Sequence, residues 1–316
     1  MKTGRLSKYL VDEFEQLGTH GYQIVENAVP NFEALRNKIL DDMSILKKEH
    51  NVQNGHLLQQ YGCGQWESLW ECRISTLKTW SRLYKTNSLL SSWDALSIIE
   101  PYEHSMLAKQ LNEHGEPEWM HRDQKCSNRN LADTIQGFLS LGDVGEDGYS
   151  TVFFVPKAGT AQELLIEFHN TFHTRYTKSG RIAATTYDEE EADYYQYTQK
   201  ELEFLRERCN FIKPRLKGGD LLLWCSTTPH AAGSSILCNA TTPMRIGTYV
   251  SMLPSHFANP CILSDRRKLA SYGLTSSHNV LNTRLFPFDL KLQKNTTKRK
   301  IVYTEEIAKT RSLLIG

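Results

Sequence analysis

The sequence predicts a mainly β protein with flanking helices, its core an antiparallel barrel or sandwich. Three observations carry that prediction. Apolar residues recur at helical spacing through the first fifty positions. From about residue 118, short β-type runs alternate with Gly, Asn and Asp. Within MRIGTYVSML (244–253), Met244, Ile246, Val250 and Met252 share one face while Arg245, Gly247, Tyr249 and Ser251 share the other, the two-residue period of a strand buried on one side and lining a pocket on the other.

Taken in order, Leu10, Phe14 and Leu17 mark a first helix, GYQIVEN (21–27) a short strand, and Asn31 an N-cap for a helix over Phe32–Met43. Further helix is expected over 79–99 and again over 105–113, ending at His114-Gly115. IQGFLSL (135–141), STVFFV (150–155), DLLLW (220–224) and MRIGTYVSML are the strands of the core. Between them lies an insertion near 187–210, acidic first and helical later, whose DEEE run is expected to be a solvated face. After Pro254 come a polar stretch, a basic cluster (Lys294, Lys298, Arg299, Lys300) and a last helix.

Length and composition bound the function. A chain of 316 residues, 40% hydrophobic, can bury a full core. Lys and Arg number 37 against 36 Asp and Glu, so no global field draws nucleic acid or an anionic membrane. No nucleic-acid partner is expected. The N-terminus lacks the apolar run of a secretion signal, and no window is long enough to cross a bilayer. Seven scattered cysteines with no C-x-x-C pair argue against a disulfide framework or a thiolate zinc site. An intracellular, cytoplasmic setting is therefore expected, and Asn239-Ala240-Thr241 and Asn295-Thr296-Thr297 are chance sequons. Oligomeric state is not legible.

The stretch HRDQKCSN (121–128) fits the catalytic loop of a protein kinase residue by residue, with Asp143-Val144-Gly145 in place of D-F-G downstream. The rest of that machine is missing. Gly62-Cys63-Gly64 lacks a third loop glycine and precedes Asp123 by too little chain for an amino-terminal lobe, and no V-A-I-K or A-P-E follows the pattern. The other reading takes His121 and Asp123 as ligands, because residues i and i+2 of an extended segment point the same way while Arg122 points elsewhere. One more imidazole completes a two-histidine, one-carboxylate triad, which leaves open positions on Fe(II). That imidazole is His230, after the turn and strand KGGDLLLWC (217–225). Arg245 follows fifteen residues later, and an arginine facing a barrel interior calls for an anion, its planar fork matching a carboxylate. His169, His173, His256 and His278 lack any partner pattern, and Trp119 and Trp224 are expected to be packing residues.

On WMHRDQ, IQGFLSLGDVGEDGYSTVFFVP, LKGGDLLLWCSTTPH and MRIGTYVSMLP, with GYQIVENAVPNFEALR at the start, the sequence resembles the phytanoyl-CoA dioxygenase-like family of Fe(II)/2-oxoglutarate-dependent oxygenases. The resemblance runs to about Pro254. It implies a double-stranded β-helix, the jelly-roll of cupin-like proteins, in a single oxygenase domain over 1–316. Residues 1–115 would form a mostly helical part, 116–258 the core with the helical insertion, and 259–316 a carboxy-terminal extension. It implies Fe(II) held by His121, Asp123 and His230 as catalytic centre, 2-oxoglutarate as co-substrate with its distal carboxylate on Arg245, and O2. Phe138 would stand beside the co-substrate, sharing its strand face with Gln136 and Ser140. The reaction implied is hydroxylation of an unactivated C–H bond of a small organic substrate, with release of succinate and CO2. The alternative is a non-catalytic, ligand-binding member of the same barrel. Two departures stand out: Pro156-Lys157-Ala158-Gly159 replaces a common turn, and Ala232 stands where some relatives have a serine.

Overall fold

In the computed structural model, the described residues are all but 1–5, 11, 51–54, 101–114, 118, 125–133, 146–147, 179–193, 234–241 and 287–300. The expected helix at 105–113, the DEEE run, both sequons and the basic cluster lie outside them.

Two antiparallel sheets form the centre. The larger joins β1 (Tyr22–Val25), β10 (Leu221–Cys225), β6 (Ile135–Ser140), β12 (Arg245–Pro254), β4 (Leu96–Ile99) and β2 (Gly55–Leu58) in that order, with β3 (Leu89–Ser91) on the far end of β12. The smaller runs β8 (Tyr195–Gln196), β5 (His121–Arg122), β11 (His230–Gly233), β7 (Ser150–Pro156) and β9 (Cys209–Ile212). A short hairpin of β13 (Thr275–Ser276) and β14 (Leu285–Phe286) stands apart.

The two-residue period sorts side chains into layers. Leu221, Leu223, Ile135, Leu139, Ile246, Val250 and Met252 face outward from the larger sheet, into a core closed by Ile39, Met43, Leu69, Trp70 and Trp80 of helices Phe32–His50, Glu67–Ser75 and Leu77–Tyr84. The alternate residues Phe138, Leu222 and Trp224 face inward and meet Phe153 and Val155 of the smaller sheet. Phe153 stacks on Tyr22 at 4.9 Å between ring centroids. On the far side of the smaller sheet, Val152 and Phe154 pack under Leu164, Phe168 and Phe172 of helix Ala161–Lys178 and Leu202, Phe204 and Leu205 of helix Gln199–Arg208. Each such side chain, fully buried, is worth about 1.5–3 kcal/mol before entropy is counted. The register of these central strands is therefore set by which face packs into which core.

The strands expected from the sequence over 21–27, 135–141, 150–155, 220–224 and 244–253 all form. The helix expected over 79–99 does not extend that far. It stops at Tyr84, where Lys85 takes a left-handed conformation (φ 52°), and the chain turns into β3 and β4. Both strands are buried on both faces, so they carry no alternation and look like any apolar run. Helix Ala161–Lys178 was not foreseen, although Thr160-Ala161-Gln162-Glu163 spells its start: the Thr160 hydroxyl accepts from the Glu163 amide at 3.2 Å and the Glu163 carboxylate accepts from the Thr160 amide at 2.8 Å. A carboxy-terminal helix, Glu305–Ile315, packs its Leu314 and Ile315 into the main core. Among the described residues no helix is long and apolar enough to cross a membrane, and the described cysteines are unpaired.

Candidate metal centre

His121 and His230 are direct partners across β5 and β11, which sets their rings 4.5 Å apart. Asp123 follows β5 by one residue, and its amide donates to the Ser226 carbonyl at 2.8 Å, which anchors it beside the turn before His230. The His121 Nε2 lies 3.5 Å from Asp123 Oδ1 and the His230 Nε2 3.2 Å from Asp123 Oδ2. One ligand-type atom from each of the three residues lies within 4.8 Å of the others. Arg122 points the other way, buried among Phe168 and Tyr195 on the outer face of the smaller sheet.

The orientation of each ring is fixed from behind. The His121 Nδ1 faces the Trp119 carbonyl at 3.1 Å and the His230 Nδ1 faces the Thr228 carbonyl at 2.8 Å. A carbonyl only accepts, so each ring keeps a proton on Nδ1 and turns its Nε2 toward Asp123, the atom that bonds the carboxylate here and is free to bond a metal ion in its place. Burial, helped by the nearby His121, pulls the His230 pKa below its ordinary value against the opposing pull of Asp123. Burial alone would raise the Asp123 carboxyl. The charges of His278 and His121 and the hydrogen bonds of both ligand histidines outweigh it and hold the group well below the usual carboxylate range. The result is an ionised carboxylate facing two imidazoles, the donor set of a divalent transition metal.

Gln136 donates from Nε2 to Asp123 Oδ2 at 2.9 Å, so its reach is to the carboxylate rather than to open space. Phe138, two residues on and on the same face, lies under the Arg245 guanidinium at 4.4 Å from its ring centroid. Gly247 makes that stacking possible, since a Cβ there would come within 2.4 Å of the Phe138 ring. Arg245 is 1% exposed. Its Nη2 donates to the Tyr249 hydroxyl at 3.2 Å, and Tyr149 covers it at 5.4 Å. Its Nε and Nη1 are buried with no partner. A guanidinium with two idle donors is costly unless an anion completes it.

The residues singled out from the sequence thus come together in two groups: His121, Asp123, His230 and Gln136 in one, Arg245 and Phe138 in the other. Phe138 pairs with Tyr249 and Gln136 with Ser251 across β6 and β12, so the two groups occupy one sheet face. Trp119 is a correction. Expected as a packing residue, it is 47% exposed and stacks on His121 at 4.1 Å, with Tyr194 at its edge. Its place beside His121 in sequence was the available signal. Asp143, the kinase-like aspartate, accepts from the Gly218 amide at 2.9 Å and serves a turn. Lys125 and Asn128 of the same kinase-like pattern lie outside the described residues.

No protein family's sequence pattern matches the chain, and neither does any curated protein. Among solved structures it is similar to the product of GlcNAc Inducible Gene 2, GIG2 (DUF1479), from Candida albicans, at a TM-score of 0.53 and 14% identity over 97% of this chain and 82% of that one. It also aligns with EctD from S. alaskensis, solved with 2-oxoglutarate and 5-hydroxyectoine, at a TM-score of 0.46 and 10% identity over 96% and 91% of the two chains. SnoN, a non-heme alpha ketoglutarate dependent epimerase from nogalamycin biosynthesis, aligns at 0.43 and 14% over 75% and 77%. The likeness to GIG2 speaks for the fold, and at that identity for the fold alone.

Proposed function

We propose that this chain is an Fe(II)- and 2-oxoglutarate-dependent oxygenase of the phytanoyl-CoA dioxygenase-like kind, acting as one domain whose two facing sheets form a double-stranded β-helix. The single observation that carries the reading is the pairing of two features on one sheet face. One is a His-Asp-His cluster with both Nε2 atoms turned to the carboxylate, and the other is a buried arginine with two unused donors.

The residues fit the group they would hold. His121, Asp123 and His230 supply two neutral imidazoles and one carboxylate, and leave the rest of an iron's coordination to a co-substrate and O2. When bound, Fe(II) would supply the oxidising chemistry, coupling decarboxylation of 2-oxoglutarate to succinate with oxidation of an unactivated C–H bond. Every other role belongs to side chains. Trp119 and Thr228 carbonyls fix the histidine tautomers. Gln136 orients the Asp123 carboxylate. Arg245, braced on Phe138 and tethered to Tyr249, takes the distal carboxylate of 2-oxoglutarate through a planar fork. The apolar wall of Phe153 and Trp224 beside His230 keeps water from that side of the centre. The substrate is a small organic molecule, and hydroxylation is the expected outcome.

The test is succinate formation from 2-oxoglutarate by the iron-loaded protein, with and without O2. Oxygen-dependent succinate supports the oxygenase. Binding of 2-oxoglutarate without turnover supports the ligand-binding alternative, a barrel that keeps the site and oxidises nothing.

A further inference from the structure

Two ionisable side chains that hold neither the metal nor the co-substrate in the reading above, Asp94 and His278, are carried on segments tied to each other beside the centre. Asp94 belongs to the stretch 92–95 between β3 and β4, which is laced along β12. The Ser92 amide donates to the Ser251 carbonyl at 2.8 Å, the Ser251 amide to the Ser92 hydroxyl at 3.0 Å, and the Tyr249 amide to the Ala95 carbonyl at 3.0 Å. Across β12, Ser251 pairs with Gln136, which holds Asp123. Asp94 is thus one strand removed from the residue that orients the candidate metal ligand.

The other edge of this stretch carries the segment that ends in His278. The Trp93 amide donates to the Ser276 hydroxyl at 2.9 Å, and the Ser276 amide returns a bond to the Trp93 carbonyl at 2.9 Å. The arrangement is locked from behind. Gly64 packs so closely that a Cβ would lie 2.0 Å from the Trp93 carbonyl oxygen, while its amide donates to the Thr275 hydroxyl at 3.0 Å. Arg73, fully buried, donates to the Gly64 and Asp94 carbonyls at 2.8 Å each.

Held this way, Asp94 and His278 act on each other and on Asp123 electrostatically, and Asp94 acts on Tyr249. Asp94 is 6% exposed. One of its oxygens accepts from the Ala95 amide at 2.6 Å, and the other meets no hydrogen-bond donor among the described residues. The His278 Nε2 is buried and has no partner. An acceptor on a side chain only 6% exposed and an enclosed ring nitrogen, both without a partner and both rigidly mounted, are groups able to take a ligand's hydrogen bonds.

We propose that Asp94 and His278 form the substrate-recognition pair of this centre, and that the substrate is a neutral small molecule bearing hydroxyl groups. Asp94 accepts the proton of one hydroxyl, and the His278 Nε2 bonds the same oxygen or the adjacent one. This rests on the oxygenase reading. Charge favours a neutral head group over an ammonium, because the Arg73 guanidinium, bonded to the Asp94 carbonyl at 2.8 Å, already sets a positive charge close behind Asp94. A ketone or an ether offers no proton for Asp94 and leaves it unpaired, which is the kind of mismatch a polar site discriminates best.

The full chain is loaded with Mn(II) and 2-oxoglutarate, and proton relaxation is measured by NMR for 1,2-cyclohexanediol, cyclohexanol and cyclohexanone, probes of one shape that differ in hydroxyl count. Relaxation by the bound ion is expected to fall from diol to alcohol to ketone, the diol binding roughly tenfold more tightly than the ketone. Asp94→Asn and His278→Ala should each bring the diol down to the ketone, each variant being compared at a Mn(II) concentration that saturates it. Equal relaxation of the three probes, or variants that keep the preference, overturns the proposal. Failure of the wild type to take up Mn(II) overturns the metal reading itself, which is a separate result.

Discussion

Replacing Arg245 with methionine should leave the ligand-free protein about as stable as before while removing its affinity for 2-oxoglutarate. The stability side follows from what the guanidinium touches. It stands over Phe138 at 4.4 Å and Tyr149 at 5.4 Å and makes one hydrogen bond, to Tyr249. Desolvated cation–π contacts contribute about 0.5–2 kcal/mol each, and the hydrogen bond about 0.5–1.5 kcal/mol. Against these stand two buried donors with no partner, each costing about 1–3 kcal/mol. The two sides nearly cancel, and methionine fills most of the vacated volume, so unfolding free energy should change by less than about 2 kcal/mol. The affinity side does not cancel. A carboxylate bound through two charge-assisted hydrogen bonds, each about 1.5–3 kcal/mol, loses at least about 3 kcal/mol, more than a hundredfold in Kd. Urea unfolding of the ligand-free variant and calorimetric titration of the Mn(II)-loaded variant with 2-oxoglutarate read the two quantities. A variant destabilised by more than about 4 kcal/mol with its 2-oxoglutarate affinity intact would make Arg245 a structural residue and refute the reasoning.

Three other substitutions test neighbouring parts of the account. Burial pushes the Asp94 carboxyl up from 3.8 to about 6, against the pull of His278. A raised folded pKa contributes stability that is fully present below 3.8 and lost as pH rises through about 6, about 3 kcal/mol in all. Asp94→Asn, which stays neutral, should gain on the wild type by about that amount between pH 4 and pH 7 in paired chemical unfolding, and a gap independent of pH would show that the carboxyl is not strained. Gln136→Leu removes the donor that orients Asp123 and should weaken Mn(II) binding about 10–100-fold with little change in secondary structure; unchanged affinity would mean the bond has no part in metal binding. Gly64→Ala drives a methyl into the Trp93 carbonyl and should cost about 1–3 kcal/mol in thermal unfolding, whereas a neutral effect would show that the packing behind Asp94 and His278 is loose.

The parts of the molecule that were legible in the sequence are those where one face of an element differs from the other. MRIGTYVSML alternates because Ile246, Val250 and Met252 enter the outer core while Arg245 and Tyr249 face inward. His-x-Asp could be recognised because an extended backbone turns both side chains one way, and His230 because a Gly-Asp turn launches the strand before it. β3 and β4 were not legible, being buried on both sides and therefore without a period. The role of Trp119 depends on its stacking on a side chain two residues away, which its place beside His121 hinted at and its residue type, that of an ordinary packing residue, did not. Asp94 and His278 lie far apart in the chain, and their segments come together where Trp93 and Ser276 exchange hydrogen bonds. Their juxtaposition is a property of the fold.

The most direct test of the central claim is an anaerobic titration of the purified protein with Fe(II) and then 2-oxoglutarate, followed by visible absorption, in wild type, His230→Ala and Arg245→Met. The account predicts a weak charge-transfer band from chelated 2-oxoglutarate in the wild type, absent in the histidine variant and shifted to much higher 2-oxoglutarate concentration in the arginine variant. An iron-loaded wild type that shows no band at saturating 2-oxoglutarate would contradict it.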